Sequence, residues 1–346
     1  MKKVLLALIA LLLLGLAGVG AYLHPVFWAP AVPASAPHSS FIIHRGMSVK
    51  QIADSLRQQA FIRNQKHFLL AAKLTGWSNQ LKAGKYEITS GLTHVDLLRL
   101  FRSGKVVQVR VTLPEGKTAE DYAEIVARAL QINKEEFLRL TEDSSFARKL
   151  GVAAPRLEGY LYPNTYQFYW GTTVAEVLTA LVQELQKHLD ENLRAQVQAS
   201  GMTLHQIMTL ASIIEGEAVV DSERTVISAV YRNRLRQGIL LQADPTIQYA
   251  VPGPPRRLLF RDLEIDSPYN TYRYAGLPPG PVNNPRLESI RAALNPAPVQ
   301  YIYFVARGDG SHRFSYTLDQ HLQAKRDFDR VRAQVRREQR AKQKAQ

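Results

Sequence analysis

An uninterrupted apolar run from Val4 to Leu23 constrains this chain more than any other feature, because a helix needs about 20 such residues to cross the hydrocarbon core of a bilayer. A cleavable signal would carry a shorter apolar core, about 7–15 residues. Gly18-Val19-Gly20-Ala21 is a poor cleavage site, so the run reads as an uncleaved anchor within residues 1–24. Lys2 and Lys3 precede it, and the positive-inside bias then puts the N-terminus in the cytoplasm and the rest outside. Pro25, Pro30, Pro33 and Pro37 among small residues predict an extended tether over 25–40.

The remaining length suffices for two modest domains. With no cysteine among the 346 residues, disulfides, thiolate metal sites and a cysteine nucleophile are excluded. Chemistry must come from oxygen and nitrogen groups. The histidines are scattered and no phosphate-cradling glycine loop appears, so neither metal nor cofactor is expected. A formal charge of +14 implies an anionic partner. The export expected of the chain argues against nucleic acid. Part of the charge belongs to 322–346, an expected basic helix or tail.

The pattern predicts an α+β chain. Over 41–106, strands at Phe41–His44 and Lys85–Thr89 flank a helix over Val49–Gln59, with Ser48 and Gln51 in capping-box positions. The order of strand, Gly46-Met47-Ser48 turn and a helix carrying Ile52-Ala53 resembles a LysM-like peptidoglycan-binding module. Val107, Val109, Val111 and Leu113 alternate with polar residues as in a half-buried strand. Helices follow to about Phe146, then an aromatic turn-rich stretch over 157–166. Thr173 with Glu176 opens a long helix to about Gln198, and Thr203 with Gln206 opens another through Glu217. A further helix runs from about Glu223 to Gln237 and stops at Gly238. Segments 301–306 and 313–316 form a late hairpin.

On the helix after Thr203, Ile207, Leu210, Ile214 and Glu217 recur at spacings of three and four, so Glu217 falls on the core-facing stripe. Burial raises a carboxyl pKa, as a general acid requires. Glu215 lies about 160° around the helix. It is expected to be more solvated and stands as the second candidate. Downstream, Leu241–Tyr249, Ser267–Tyr272 and Gly276–Pro285 supply amides, hydroxyls and tyrosines. Amides and carboxylates satisfy sugar hydroxyls, and aromatic faces cover a pyranose.

Five ordered segments, Leu157-Glu158-Gly159-Tyr160, Ala211–Glu217, Leu241–Thr246, Ser267–Tyr272 and Gly276–Pro281, resemble the endolytic murein transglycosylase (YceG-like) family over nearly the whole chain. The resemblance implies a catalytic domain over 107–321 that cleaves the β-1,4 bond between N-acetylmuramic acid and N-acetylglucosamine within nascent glycan strands. It implies a 1,6-anhydro end, termination of strand growth, and a place in the inner membrane, facing the periplasm beside wall-synthesis complexes. It carries the catalytic glutamate to Glu217, with Glu215 still open. It makes Glu158, Tyr160, Gln242, Asp244, Thr246, Tyr269, Asn270 and Tyr272 substrate-binding candidates. Where the family commonly has lysine between the glutamates, this chain has Gly216, expected to loosen the helix end. A hydrolytic muramidase and a non-catalytic peptidoglycan-binding scaffold are the rival readings.

Overall fold

A computed structural model describes residues 2–34 and 39–344. It is mainly helical with three two-stranded sheets, and the contacts divide it into two units: residues 1–110 with 167–172, and 111–166 with 173–346.

The first unit begins with α1 (Lys2–Phe27), whose segment Leu8–Phe27 has mean hydropathy 1.9 and almost no burial, as a membrane span requires. The small module follows as β1 (Ser39–Ile43), α2 (Val49–Gln58), α3 (Gln65–Thr75), β2 (Gly84–Ile88) and α4 (His94–Ser103). β1 and β2 are antiparallel, Phe41 opposite Tyr86. Ser48 and Gln51 form the expected capping box. The core is aromatic: Phe41, Phe61, Phe68, Tyr86 and Phe101 are all fully buried, with Tyr86 edge-on to Phe101 at 5.0 Å. The expected tether over 25–40 differs in its described part. α1 runs through Pro25 to Phe27, and Val26 and Val32 enter this core. The N–H groups of Ala31 and Val32 both donate to Leu92 O. Apolar burial and backbone pairing outweigh the prolines' preference for extended solvated chain. Pro37 lies outside the described residues.

The chain passes between units within β3 (Gln108–Leu113) and within its partner β4 (Asn164–Tyr169), an unexpected strand in the aromatic stretch. Between them lie α5 (Ala119–Leu130), α6 (Lys134–Thr141) and α7 (Ser144–Lys149). The long helix expected from Thr173 to Gln198 is two, α8 (Val174–His188) and α9 (Glu191–Ala199). Asp190 breaks it by accepting from Leu193 N at 2.8 Å, which starts a new helix.

α10 (Leu204–Glu217) carries the Thr203/Gln206 capping box and is buried all round from Ile207 to Glu215. α11 (Arg224–Gln237) ends on left-handed Gly238, as expected. α12 (Asp244–Ala250) replaces an expected loop, and α13 (Leu287–Leu294) follows the Gly276–Pro285 loop where no element was expected. The hairpin is β5 (Tyr303–Ala306) with β6 (His312–Ser315), and α14 (Leu318–Lys344) closes the chain.

Candidate active site

Glu217 ends α10 half-buried. Tyr231, on the inner stripe of α11, donates its hydroxyl to Glu217 Oε1 at 2.9 Å. Burial pushes the Tyr231 phenol well above its ordinary pKa, so it remains a donor. Desolvation raises the Glu217 carboxyl to about 7, the Tyr231 bond opposes that rise, the Asp244 charge adds to it, and a bond from Asp244 N–H opposes it again. The group can therefore hold a proton near neutrality and release it, the property a single residue needs to serve first as acid and then as base.

Asp244 opens α12, with Pro245 suited to its second position. Its exposed carboxylate accepts from Tyr272 Oη at 2.6 Å. The tie between these loops is internal. Gln242 N donates to Thr271 O at 3.1 Å and Ala243 N to Thr271 Oγ1 at 3.0 Å, while the Thr246 and Thr271 hydroxyls meet at 2.9 Å. Gln242 takes a left-handed φ of 52° and its exposed side chain accepts from Arg234 at 3.3 Å. Arg234 is itself buried, donating to Ile302 O, Leu240 O and Leu241 O.

Glu217, Tyr231, Asp244 and Tyr272 are thus brought together, with Gln242 held beside them through Arg234. The other candidates turn inward. Buried Glu158 accepts from Ala119 N at 3.1 Å and from Asn284 Nδ2 at 3.0 Å, and burial raises its carboxyl to about 8. Tyr160 is buried with its hydroxyl 3.0 Å from His205 Nδ1, whose other nitrogen meets Pro279 O. Thr246 is spent on the α12 turn. Asn270 is buried and donates to Leu263 O and Ile265 O. Tyr269 lies at 4.9 Å from the Tyr249 ring under Arg156. These five hold the loops in place and are removed from solvent.

Glu215 also departs from expectation. It is buried, where sequence placed it on the more solvated face, because α13 covers that side of α10. Its Oε2 accepts from Arg286 N at 3.1 Å and Ser289 Oγ at 2.8 Å, and Oε1 lies 3.4 Å from Arg224 Nη2. Its lone pairs are committed to an ion-pair network, whereas among the described residues the Glu217 carboxyl accepts from Tyr231, with the Asp244 N–H beside it.

Sequence reasoning missed Tyr231, Arg234, Arg224 and Asn284. The signal was present for three of them. Arg224, Ile227, Tyr231 and Arg234 recur at helical spacing, placing charged groups on a stripe that also carries core residues. Asn284 reads locally as a turn residue. It bridges distant segments, accepting from Gly159 N and Leu161 N and donating to Lys117 O.

Gly216 does not loosen α10, which continues through Glu217 with Ala218 N bonded to Ile214 O at 2.9 Å. A Cβ there would fall 2.7 Å from Pro245 Cβ and Cγ, ring atoms that cannot swing aside. Gly216→Ala should therefore displace α12 and the Asp244 N–H that reaches Glu217. Turnover should fall about tenfold, equivalent to ~1.4 kcal/mol of barrier, with helix content by circular dichroism unchanged. Unaltered turnover would show that the contact does not position Glu217.

The sequence profile of the YceG-like family matches residues 41–327. The chain is 32% identical over 302 residues to an endolytic murein transglycosylase of Bacillus subtilis, covering 83% of each protein. It is 29% identical over 298 residues to the protein so named in Streptococcus pneumoniae strain D39, covering 76% of this chain and 53% of that longer one. A crystal structure of a yceG-like protein from Listeria monocytogenes superposes with a TM-score of 0.58 at 32% identity, over 82% of this chain and 97% of that one.

Proposed function

The chain belongs to the YceG-like family, and from that premise we propose that it is an endolytic murein transglycosylase with Glu217 as its acid and base. The observation that carries the assignment is the half-buried Glu217 carboxyl, raised to about 7 and fixed by the Tyr231 hydroxyl at 2.9 Å. With Oε1 held by Tyr231, Oε2 carries the proton to the glycosidic oxygen between N-acetylmuramic acid and N-acetylglucosamine. The resulting carboxylate then takes the proton of the muramic C6 hydroxyl as that oxygen closes on C1, leaving a 1,6-anhydro end. Asp244, held by Tyr272, is an exposed anion beside the acid and suits the positive charge that develops at C1. Gln242 and Tyr272 serve as hydrogen-bonding groups for the sugar.

The remaining assignments follow from the same reading. α1 anchors the protein in the inner membrane in a single pass, with the N-terminus cytoplasmic and the catalytic part periplasmic. The β1–α2–α3–β2 module binds peptidoglycan in the LysM manner. Action on nascent strands places the enzyme beside membrane wall synthases, where cleavage ends strand growth.

The test is mass spectrometry of uncrosslinked glycan strands treated with the full chain. Anhydro-muramic ends are expected. Reducing muramic ends would make the enzyme a muramidase, and no cleavage by folded protein would make it a scaffold.

Because the proton must be in place before the bond breaks, kcat/KM should fall as pH rises through about 7. Tyr231→Phe removes a donor that favours the carboxylate, so the proton is held more tightly. A hydrogen bond to a charged group is worth about 1.5–3 kcal/mol, and one pH unit corresponds to about 1.4 kcal/mol. The alkaline limb should move up by about one unit while kcat falls. A profile that keeps its midpoint would show that Tyr231 does not contact the acid during turnover.

A further inference from the structure

Between α12 and the Ser267–Tyr272 loop, the chain presents two apolar side chains to solvent from a fixed backbone. Phe260 is 89% exposed and its neighbour Leu259 is 46% exposed. Exposed apolar groups that adjoin one another mark contact surfaces when they form a contiguous patch, and here the backbone is pinned. Arg256 forks onto Asp262 through two bonds of 2.7 and 2.9 Å, and Leu259 N donates to the same carboxylate at 2.7 Å. Asn270, buried, donates to Leu263 O at 2.9 Å and Ile265 O at 2.7 Å. The 3-10 turn Phe260–Glu264 is thereby held at both ends. On either side stand Arg257 and Arg261, both exposed and with no ion pair within 4 Å among the described residues, the Arg261 charge also favouring the Asp262 carboxylate.

An adjacent leucine and phenylalanine flanked by exposed arginines match the boundary of an anionic bilayer. There the apolar groups enter the acyl region and guanidinium groups meet phosphates. A sugar polymer would use the aromatic face of Phe260 but has little use for the leucine. The chain also carries its own membrane-spanning candidate in α1. We propose that the Leu259–Phe260 turn, with Arg257 and Arg261, docks on the anionic lipid surface. This would fix the second unit against the membrane, a contact independent of the chemistry at Glu217.

The absence of native cysteine makes a clean test available. Full-length Phe260→Cys, labelled with the fluorophore NBD, is placed in nanodiscs of phosphatidylcholine with phosphatidylglycerol and in discs of phosphatidylcholine alone. Glu191→Cys, at an exposed site on α9, serves as the reference. The label at 260 should brighten severalfold and be quenched by lipids doxylated near the headgroup, and the label at 191 should not. Quenching should fall severalfold in phosphatidylcholine alone and when Arg257→Gln and Arg261→Gln are added. Equal behaviour at 191 and 260, or no quenching at 260, overturns the proposal. A response at 260 to glycan strands without lipid quenching would assign the turn to the sugar polymer instead.

Discussion

Glu217→Gln should reduce cleavage of glycan strands by roughly a thousandfold, since in the proposed mechanism one residue serves as acid and then base and such roles contribute about 10²–10⁴ each. The loss should fall on kcat, because the amide preserves shape and can still accept from Tyr231. Stability should change little. The carboxyl is raised to about 7 by burial, so at pH 6 it is mostly neutral in the folded protein and the neutral amide imitates it. Residual activity within tenfold of the unaltered enzyme would remove Glu217 from the chemistry. Product analysis then discriminates further, because any cleavage that persists should still yield anhydro ends if the oxygen closing on C1 is the sugar's own.

The parts of the site visible in sequence were those governed by local chemistry. The Thr203/Gln206 box starts α10 where expected, and the spacing of Ile207, Leu210 and Ile214 puts Glu217 on a stripe with core residues. A single-stripe argument fails for Glu215, however, because α10 is enclosed on all sides. The helix that encloses it, α13, follows Gly276–Pro285, a stretch whose prolines and asparagines read only as turns. Tertiary contact decides those residues: Ser212 Oγ accepts from Val282 N at 3.0 Å, and Asn283 Nδ2 donates to Ser212 O at 2.9 Å. The segment is laid along α10 by bonds that no local pattern encodes. For the same reason Glu158 and Asn284, 126 residues apart, could be found in sequence only as separate motifs. Their meeting under the N-terminus of α5 explains why the aromatic stretch around Tyr160 has groups suited to a sugar yet presents few of them to solvent.

Glu215→Ala should destabilise the protein by about 3 kcal/mol, the lower end of the cost of breaking a buried pair from one side. The side chains of Glu215 and Arg224 are each 4% exposed. Removing the carboxylate leaves Arg224 with the Ser289 hydroxyl at 2.6 Å, Ala218 O at 3.4 Å and Asp221 at 3.2 Å, the last a carboxylate that is largely solvated and shared with Arg286. Arg286 N and Ser289 Oγ lose their acceptor as well. At 2–4 °C per kcal/mol for a unit of this size, the melting temperature should drop by about 6–12 °C. Arg224→Met should also destabilise. The double variant should be more stable than the two separate losses predict, since it removes the orphaned charge along with its partner. Cleavage should survive in Glu215→Gln below its melting transition, because the Tyr231 bond to Glu217 lies on α11 and does not pass through Glu215. A Glu215→Gln variant that melts normally but no longer cleaves would reverse the assignment, making Glu215 the acid and Glu217 its neighbour.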